Sequence, residues 1–230
     1  MTSAEISYTS KITVVKKQVV GNDAMICDAA RVSTLGDNAD DYVRDEAADA
    51  KLIRYLMNNK HGSPFEHGSI TYIVTAPIFV FWDHVRHRIG VSYNVESSRY
   101  RELSPVFFVA DESRTQSGRP GHYVMTAGTA EQTQVMERAN SLATQWAWEA
   151  YQQQLDAGIA REQAMQVLPM NTVITAYVTF NPRSLMNFLE LRLGPARKEM
   201  QQLATEYLIL AMPHWPETLT AFGENGRVAP

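Results

Sequence analysis

Four arginines and one histidine crowd into the sixteen residues Arg86-His87-Arg88-Ile89-Gly90-Val91-Ser92-Tyr93-Asn94-Val95-Glu96-Ser97-Ser98-Arg99-Tyr100-Arg101. Guanidinium forks form paired, charge-assisted hydrogen bonds to phosphates and planar anions, so this density suits a phosphorylated ligand. The same arginines could pair with Asp83, Glu96 and Glu102 as a structural ion network, and spacing alone leaves both readings open. A second cluster, His61-Gly62-Ser63-Pro64-Phe65-Glu66-His67, joins two imidazoles to a carboxylate. Those imidazoles are six apart, lack a helical His-Glu frame and have no thiolate nearby. Hydrogen bonding to a ligand or to the core therefore fits better than a metal, and no metal is expected. A third stretch, Asn181 to Arg192, places Arg183 and Asn187 four apart on one helical face while Leu185, Phe188 and Leu189 can pack inward. A capped amphipathic helix with solvated polar groups is the plainer reading of it.

Other chemistries find no support. No Gly-x-Gly-x-x-Gly or phosphate-loop run occurs, so a dinucleotide, if bound, is not held in the Rossmann manner. Cys27 is the only cysteine; in the apolar setting Met25-Ile26-Cys27-Asp28 it reads as a small core residue rather than a nucleophile.

These groups need elements to hold them. Partial alternation of β-branched residues suggests an opening strand over Ile6 to Gln18, followed by a short helix over Ala24 to Val32. Apolar positions at helical spacing predict a helix between Asp41 and Asn59, capped by Asp40 or Asp41. Ser69 to Thr75 reads as a strand, and Pro77 at a first helical position opens a helix over Ile78 to Arg88. The polar stretch Asp111 to Gly121 reads as a surface loop. A long helix over Glu131 to Leu155 is expected to bury Val135, Ala139, Leu142, Trp146 and Leu155, and a shorter one spans Ile159 to Val167. Thr172 to Phe180 is a strand by propensity. Asn181-Pro182 then starts a helix to Leu193, and another spans Ala196 to Met212. The sum is a mixed α+β chain forming one domain over residues 1–230.

Charge narrows the partners. With 21 Lys+Arg against 25 Asp+Glu, the net charge of −4 opposes a nucleic acid backbone or an anionic membrane, so any anion must be captured locally. Stacking and phosphate contacts from Arg99-Tyr100-Arg101 could serve a single-strand binder, but the same charge argues against it. A lone cysteine fits a reducing compartment. The opening Met-Thr-Ser-Ala-Glu-Ile lacks a basic region before an apolar stretch, and no membrane-length apolar run occurs, so a cytoplasmic location is expected.

Taken in order, Ser63-Pro64-Phe65-Glu66-His67, Ala76-Pro77-Ile78-Phe79-Val80, Arg86-His87-Arg88 leading to Ser92-Tyr93-Asn94 and Ser97-Ser98-Arg99-Tyr100, and Asn181 to Leu189 resemble the flavin-dependent thymidylate synthases. The resemblance spans roughly Ala30 to Arg192, and the end Asn225-Gly226-Arg227-Val228-Ala229-Pro230 is similar to one branch of that family. It implies the family's fold, mixed helices with an antiparallel-type sheet, and a homotetramer with FAD at subunit interfaces. It also implies conversion of dUMP to dTMP with methylenetetrahydrofolate as carbon donor and NADPH as reductant. By motif position, flavin contacts would come from Ser33, His61, Ser63, Glu66, Arg86, Arg88, Ile89, Asn181, Arg183 and Asn187. Nucleotide contacts would come from Arg86, Ser97, Ser98, Arg99 and Arg192, with Arg192 and Ser97 at the chemistry.

The chemistry is compatible with that implication. Attack from C5 of uracil is sluggish unless ring charge is stabilised or a thiol first adds at C6. Without a convincing thiol, a guanidinium such as Arg192 beside a ring carbonyl supplies the polarisation, and Ser97 serves as a ligand hydrogen bonder. The chain departs from the family pattern in three places: one extra residue between Arg88 and Ser92, Val95 where glutamate is frequent, and Met165 where an arginine contacting the nucleotide is usual. Either Arg161 compensates, or the substrate is another pyrimidine nucleotide such as dCMP, the reaction is a hydroxymethylation, or turnover is impaired.

Overall fold

The computed structural model describes residues 5–194 and 197–230, with the side chains of residues 39–41 outside that description. In chain order the elements are β1 (Ser7–Thr9), β2 (Thr13–Val20), α1 (Asp23–Leu35), α2 (Glu46–Asn58), β3 (Ser69–Pro77), α3 (Ile78–His84), β4 (Val91–Val95), β5 (Val106–Phe108), β6 (Arg114–Arg119), β7 (His122–Ala127), α4 (Ala130–Asp156), α5 (Arg161–Ala164), β8 (Val173–Phe180), α6 (Pro182–Arg192), α7 (Lys198–Ala211) and α8 (Pro216–Glu224). Short 3-10 segments fall at Gly36–Asp41, Ser63–Glu66 and Met165–Val167. The fold is α+β with mostly antiparallel strand pairing, as expected. The chain gathers into two compact units, one from residues up to 11, 76–79 and 96–174, the other from 12–75, 80–95 and 175–230.

The larger unit carries the four-stranded sheet, ordered β2-β3-β8-β4, with β2 antiparallel to β3 and β4 antiparallel to β8. Side chains alternate across a strand, so Ile70, Tyr72 and Val74 of β3 and Ala176, Val178 and Phe180 of β8 are all buried. Threonines on the intervening positions pair hydroxyls between the strands, Thr71 with Thr179 at 2.9 Å and Thr75 with Thr175 at 3.0 Å. An aromatic knot of Tyr72, Phe180, Phe188 and Tyr207 joins the sheet to α6 and α7, with ring centroids 4.5 to 6.4 Å apart. Offset and edge-on pairs of this kind add to the burial of large apolar rings. Cys27 is buried in α1, its thiol pushed up to about 12 chiefly by burial, which keeps it the inert core residue its setting suggested.

The smaller unit pairs β1 in parallel with β5, forms the β6–β7 hairpin, and packs α4 over a core of Phe107, Trp148, Tyr151 and Ala164, against which Met165 also lies. Thr129 and Gln132 form a reciprocal capping box at the start of α4.

Several expectations need correction. The opening strand is two strands, β1 and β2. The supposed loop Asp111 to Gly121 contains β6, whose polar residues are those of an exposed hairpin, so composition disguised the strand. On α4 the buried residues are Thr144, Trp148 and Tyr151, while Val135, Leu142 and Trp146 are 69%, 50% and 71% exposed. The helix carries two stripes, and spacing alone does not say which faces inward. Pro77 ends β3 rather than starting a helix. The first α3 amides, Ile78 and Phe79, donate to Thr172 O and Met170 O, and α3 stops at His84. The cap of α2 is Asp45, which accepts from Ala47 N and Ala48 N; the expected caps Asp40 and Asp41 have side chains outside the description. The predicted start of α7 at Ala196 also lies outside the described residues, as does the opening Met1 to Ala4. Helix α8 was not anticipated: it has no capping side chain of its own, and Asp23 at the start of α1 accepts from Glu217 N, Thr218 N and the Thr218 hydroxyl instead. Among the described residues no helix is long and apolar enough to cross a membrane, and no His, Cys, Asp and Glu cluster could hold a metal ion.

Candidate functional site

Helix α6 organises the site. Asn181 caps it by accepting from Ser184 N at 2.8 Å, and Pro182 occupies the first turn, where no amide N–H is needed. Leu185, Met186, Phe188 and Leu189 are buried, which turns Arg183, Asn187 and Glu190 to the opposite face.

Two further stretches of the larger unit meet the first turns of α6. The 3-10 turn Ser63–Glu66 packs on the helix, and Arg183 Nη1 donates to Glu66 Oε1 at 2.5 Å. A Cβ at Gly62 would sit 2.4 Å from the Arg183 guanidinium carbon, so only glycine allows that approach. From the other stretch, Gly90 at φ +64° abuts the cap, where a Cβ would fall 2.2 Å from Ser184 Oγ, and Gly90 O accepts from Asn181 N at 3.3 Å. Residues 62–66, 90 and 181–184 are thereby brought together. Asn187 donates back to Arg183 O at 3.1 Å, and His61 stands exposed with its ring edge-on to Tyr55 at 5.7 Å.

The Arg86-His87-Arg88 segment alternates out, in, out. His87 turns inward and its Nε2 accepts from Arg192 Nε at 2.9 Å, while Arg192 Nη2 donates to Asp83 O at 3.2 Å. Burial, then the Arg192 charge, pushes the His87 pKa down to about 4, so at neutral pH the ring is an uncharged acceptor. Two corners of the Arg192 fork are thus fixed on the protein, and among the described residues Nη1 has no hydrogen-bond partner. Beneath lies His84, fully buried, its Nδ1 2.9 Å from the Tyr93 hydroxyl and its Nε2 2.8 Å from the Tyr207 hydroxyl. The Tyr93 hydroxyl also reaches His84 O and His87 O, at 2.8 and 2.9 Å, which braces the turn that carries the arginines.

The ion-network reading fails for Arg86 and Arg88. Asp83 pairs with Arg197 at 3.2 Å, Glu96 with Arg101 at 3.4 Å, and Glu102 lies 4.0 Å from Arg161. Among the described residues neither Arg86 nor Arg88 has a carboxylate partner, and both are exposed next to Ile89, which is 92% exposed. Among the described residues, two exposed cations without a carboxylate partner beside an exposed isoleucine make a candidate surface for an anionic ligand.

The remaining expected residues fall elsewhere. Ser33 is exposed in the last turn of α1, its hydroxyl donating to Ala30 O at 2.7 Å. Ser97, Ser98 and Arg99 belong to the smaller unit. Ser97 shapes a turn, its hydroxyl accepting from Arg99 N at 3.3 Å; Ser98 is buried with its hydroxyl against the Met165 thioether; Arg99 Nε holds Glu162 at 2.8 Å. The sequence reading missed His84, Tyr93 and Tyr207, and missed that His87 holds Arg192. The lone histidine between two exposed arginines was the available signal, since alternation points it the opposite way.

Fold and motif order define a protein of the thymidylate synthase complementing class: residues 14–217 match the family model described as "Thymidylate synthase complementing protein". Flavin-dependent thymidylate synthases of Streptomyces avermitilis and Streptomyces coelicolor are each 44% identical to the chain, over 97% and 98% of it and 96% of each relative. The crystal structure of a UMP/dUMP methylase, PolB, from Streptomyces cacaoi bound with 5-Br dUMP matches with a TM-score of 0.91 at 39% identity, covering 98% of this chain and 100% of that one. Its complex with 5-Br UMP gives 0.88 at 40% identity, covering 98% and 99%. The chain belongs to the flavin-dependent thymidylate synthase family and is an enzyme of the methyl-transferring type.

Proposed function

We propose that this enzyme binds FAD and methylates dUMP to dTMP, with methylenetetrahydrofolate as carbon donor and NADPH as reductant. The observation that carries this reading is the Arg192 fork, locked by a neutral His87 and the Asp83 carbonyl with one edge open. Such an edge can hydrogen-bond a pyrimidine carbonyl and stabilise negative charge as C5 attacks; a preorganised donor of this kind contributes about 3 to 4 kcal/mol. The donor set of the larger unit suits a phosphate-rich, carbonyl-rich cofactor. Arg183, Asn187 and Asn181 of α6, His61, Ser63 and Glu66 of the preceding turn, and Arg86, Arg88 and Ile89 would hold FAD, with Ser33 a further contact. Bound there, FAD supplies the reducing equivalents. Arg86 and Arg192 would also contact the nucleotide, as would Ser97, Ser98 and Arg99, Ser97 by hydrogen bonding. We read the chain as a single domain over residues 1–230 working in the cytoplasm.

A second reading concerns the substrate. Met165 packs on the core of the smaller unit and faces Ser98, so no guanidinium stands at that place, and Arg161 lies near Glu102 instead. A different pyrimidine nucleotide, dCMP or the ribonucleotide UMP, follows if that loss alters recognition. Product analysis with dUMP, UMP and dCMP separates these.

For assembly, Val135, Ala139, Leu142 and Trp146 form an exposed stripe on α4 with steps of four, three and four, the spacing of a helix–helix seam. We place a second copy on it within a homotetramer. Leu142→Glu is expected to lower the oligomeric mass by light scattering, and an unchanged mass would remove this seam. The reading as a whole is tested by colour: the purified protein should show flavin bands near full occupancy, and Arg183→Ala should bleach it. Full occupancy in that variant would contradict the assignment.

A further inference from the structure

The segment after α8 doubles back onto α6. Gly226 and Arg227 turn in the left-handed region, at φ +68° and +62°, and the turn is closed by Arg227 N to Phe222 O and by Asn225 Nδ2 to Val228 O, each 2.9 Å. The chain then meets two side chains of one α6 face. Ala229 N donates to Glu190 Oε2 at 3.0 Å, and Pro230 O accepts from Arg183 Nε at 2.9 Å. Arg183 and Glu190 are seven apart, two turns of helix, so both anchors lie along the same line. Pro230 is buried, yet Val228 is 41% exposed, so the segment adds little to the core.

Arg183 is consequently held on three sides: Nε by Pro230, Nη1 by Glu66, and the guanidinium carbon over the bare Cα of Gly62. The fork has five N–H donors, and these contacts leave its Nη2 edge without a partner among the described residues. An exposed arginine is free about several bonds. The Glu66 contact alone would let the fork swivel about Nη1, whereas the added bond at Nε fixes the plane.

We infer that residues 225–230 are a positioning strap that sets the direction of Arg183 before the cofactor arrives. This rests on the reading of Arg183 as a cofactor contact. A donor already pointed at its acceptor loses less freedom on binding, so the strap raises cofactor affinity without touching the cofactor. The carbonyl of Pro230 acts as an orienter, not as a competitor, because it occupies Nε and leaves Nη2 open.

The test measures the FAD dissociation constant of the full-length protein, and its melting midpoint without FAD, for Ala229→Pro, Asn225→Ala, Arg183→Ala and each tail change combined with Arg183→Ala. Ala229→Pro removes the N–H that Glu190 accepts, and Asn225→Ala opens the turn. Both are expected to weaken FAD binding about tenfold, to leave the midpoint unchanged, and to add nothing in the Arg183→Ala background. Two outcomes overturn the strap while leaving the site intact: tail variants that bind FAD as well as or better than the parent while Arg183→Ala binds weakly, or tail effects that persist without Arg183. Arg183→Ala binding FAD normally removes the site reading itself, and the strap with it.

Discussion

Arg192→Ala is expected to cut the rate of dUMP methylation by about 10²- to 10³-fold while leaving FAD content at its parental level. The size follows from what the side chain offers. Its Nε and Nη2 are engaged by His87 and Asp83 before any ligand binds, so the remaining edge needs no reorganisation when charge develops on the pyrimidine. Lysine should not restore the rate, because a point charge cannot occupy both anchors and still present a donor. His87→Leu removes the acceptor and should cost a large part of the same effect, with His87→Gln milder because its amide oxygen can accept the hydrogen bond from Arg192 Nε. Steady-state kcat alongside the flavin absorbance ratio distinguishes these cases. A rate for Arg192→Ala within threefold of the parent would place the chemistry elsewhere.

His84→Ala should destabilise the protein by about 3 to 5 kcal/mol in urea titration, among the largest single-residue effects in the chain. The imidazole is fully enclosed, and removing it leaves a cavity among Phe180, Phe188 and Tyr207 and strips the Tyr207 hydroxyl of its ring partner. Acid should act through the same residue. Burial pushes the His84 pKa down to about 3 and that of His87 down to about 4, against about 6.5 in an unfolded chain. Between those limits the unfolded chain binds protons that the folded chain refuses. Stability is therefore complete above about pH 6.5 and declines as pH falls toward 4, by about 3 kcal/mol at pH 4 from His84 alone. A flat stability profile between pH 7 and 4.5 would show that neither histidine is held neutral.

Motifs with fixed local consequences were legible from the amino acids. Asn181-Pro182 starts α6 because a side-chain acceptor followed by an amide-free residue is a local solution to an exposed helix end. Leu185, Phe188 and Leu189 pack inward because helical spacing puts them on one side. What escaped was decided at long range. The cap of α8 comes from Asp23, 194 residues before Glu217. Which α4 stripe turns inward depended on Phe107 and Ala164 being there to receive Trp148 and Tyr151. At the site, Glu66, Arg88 and Arg183 could be picked out by residue type and motif. Their supports could not, since Tyr93, Tyr207 and the carbonyls of Asp83 and Pro230 carry no compositional mark.

The order of strands in the main sheet also governs how the molecule can be made. β3 finds β2 already made, but its other neighbour β8 begins only at Val173, so during translation the β3 edge that carries Ile70, Tyr72 and Val74 leaves the ribosome long before its second partner exists. Pairings between such distant segments are slow to form and leave sticky edges bare while they wait. Newborn chains halted before about residue 180 should therefore engage holdase chaperones and clump when those are scarce.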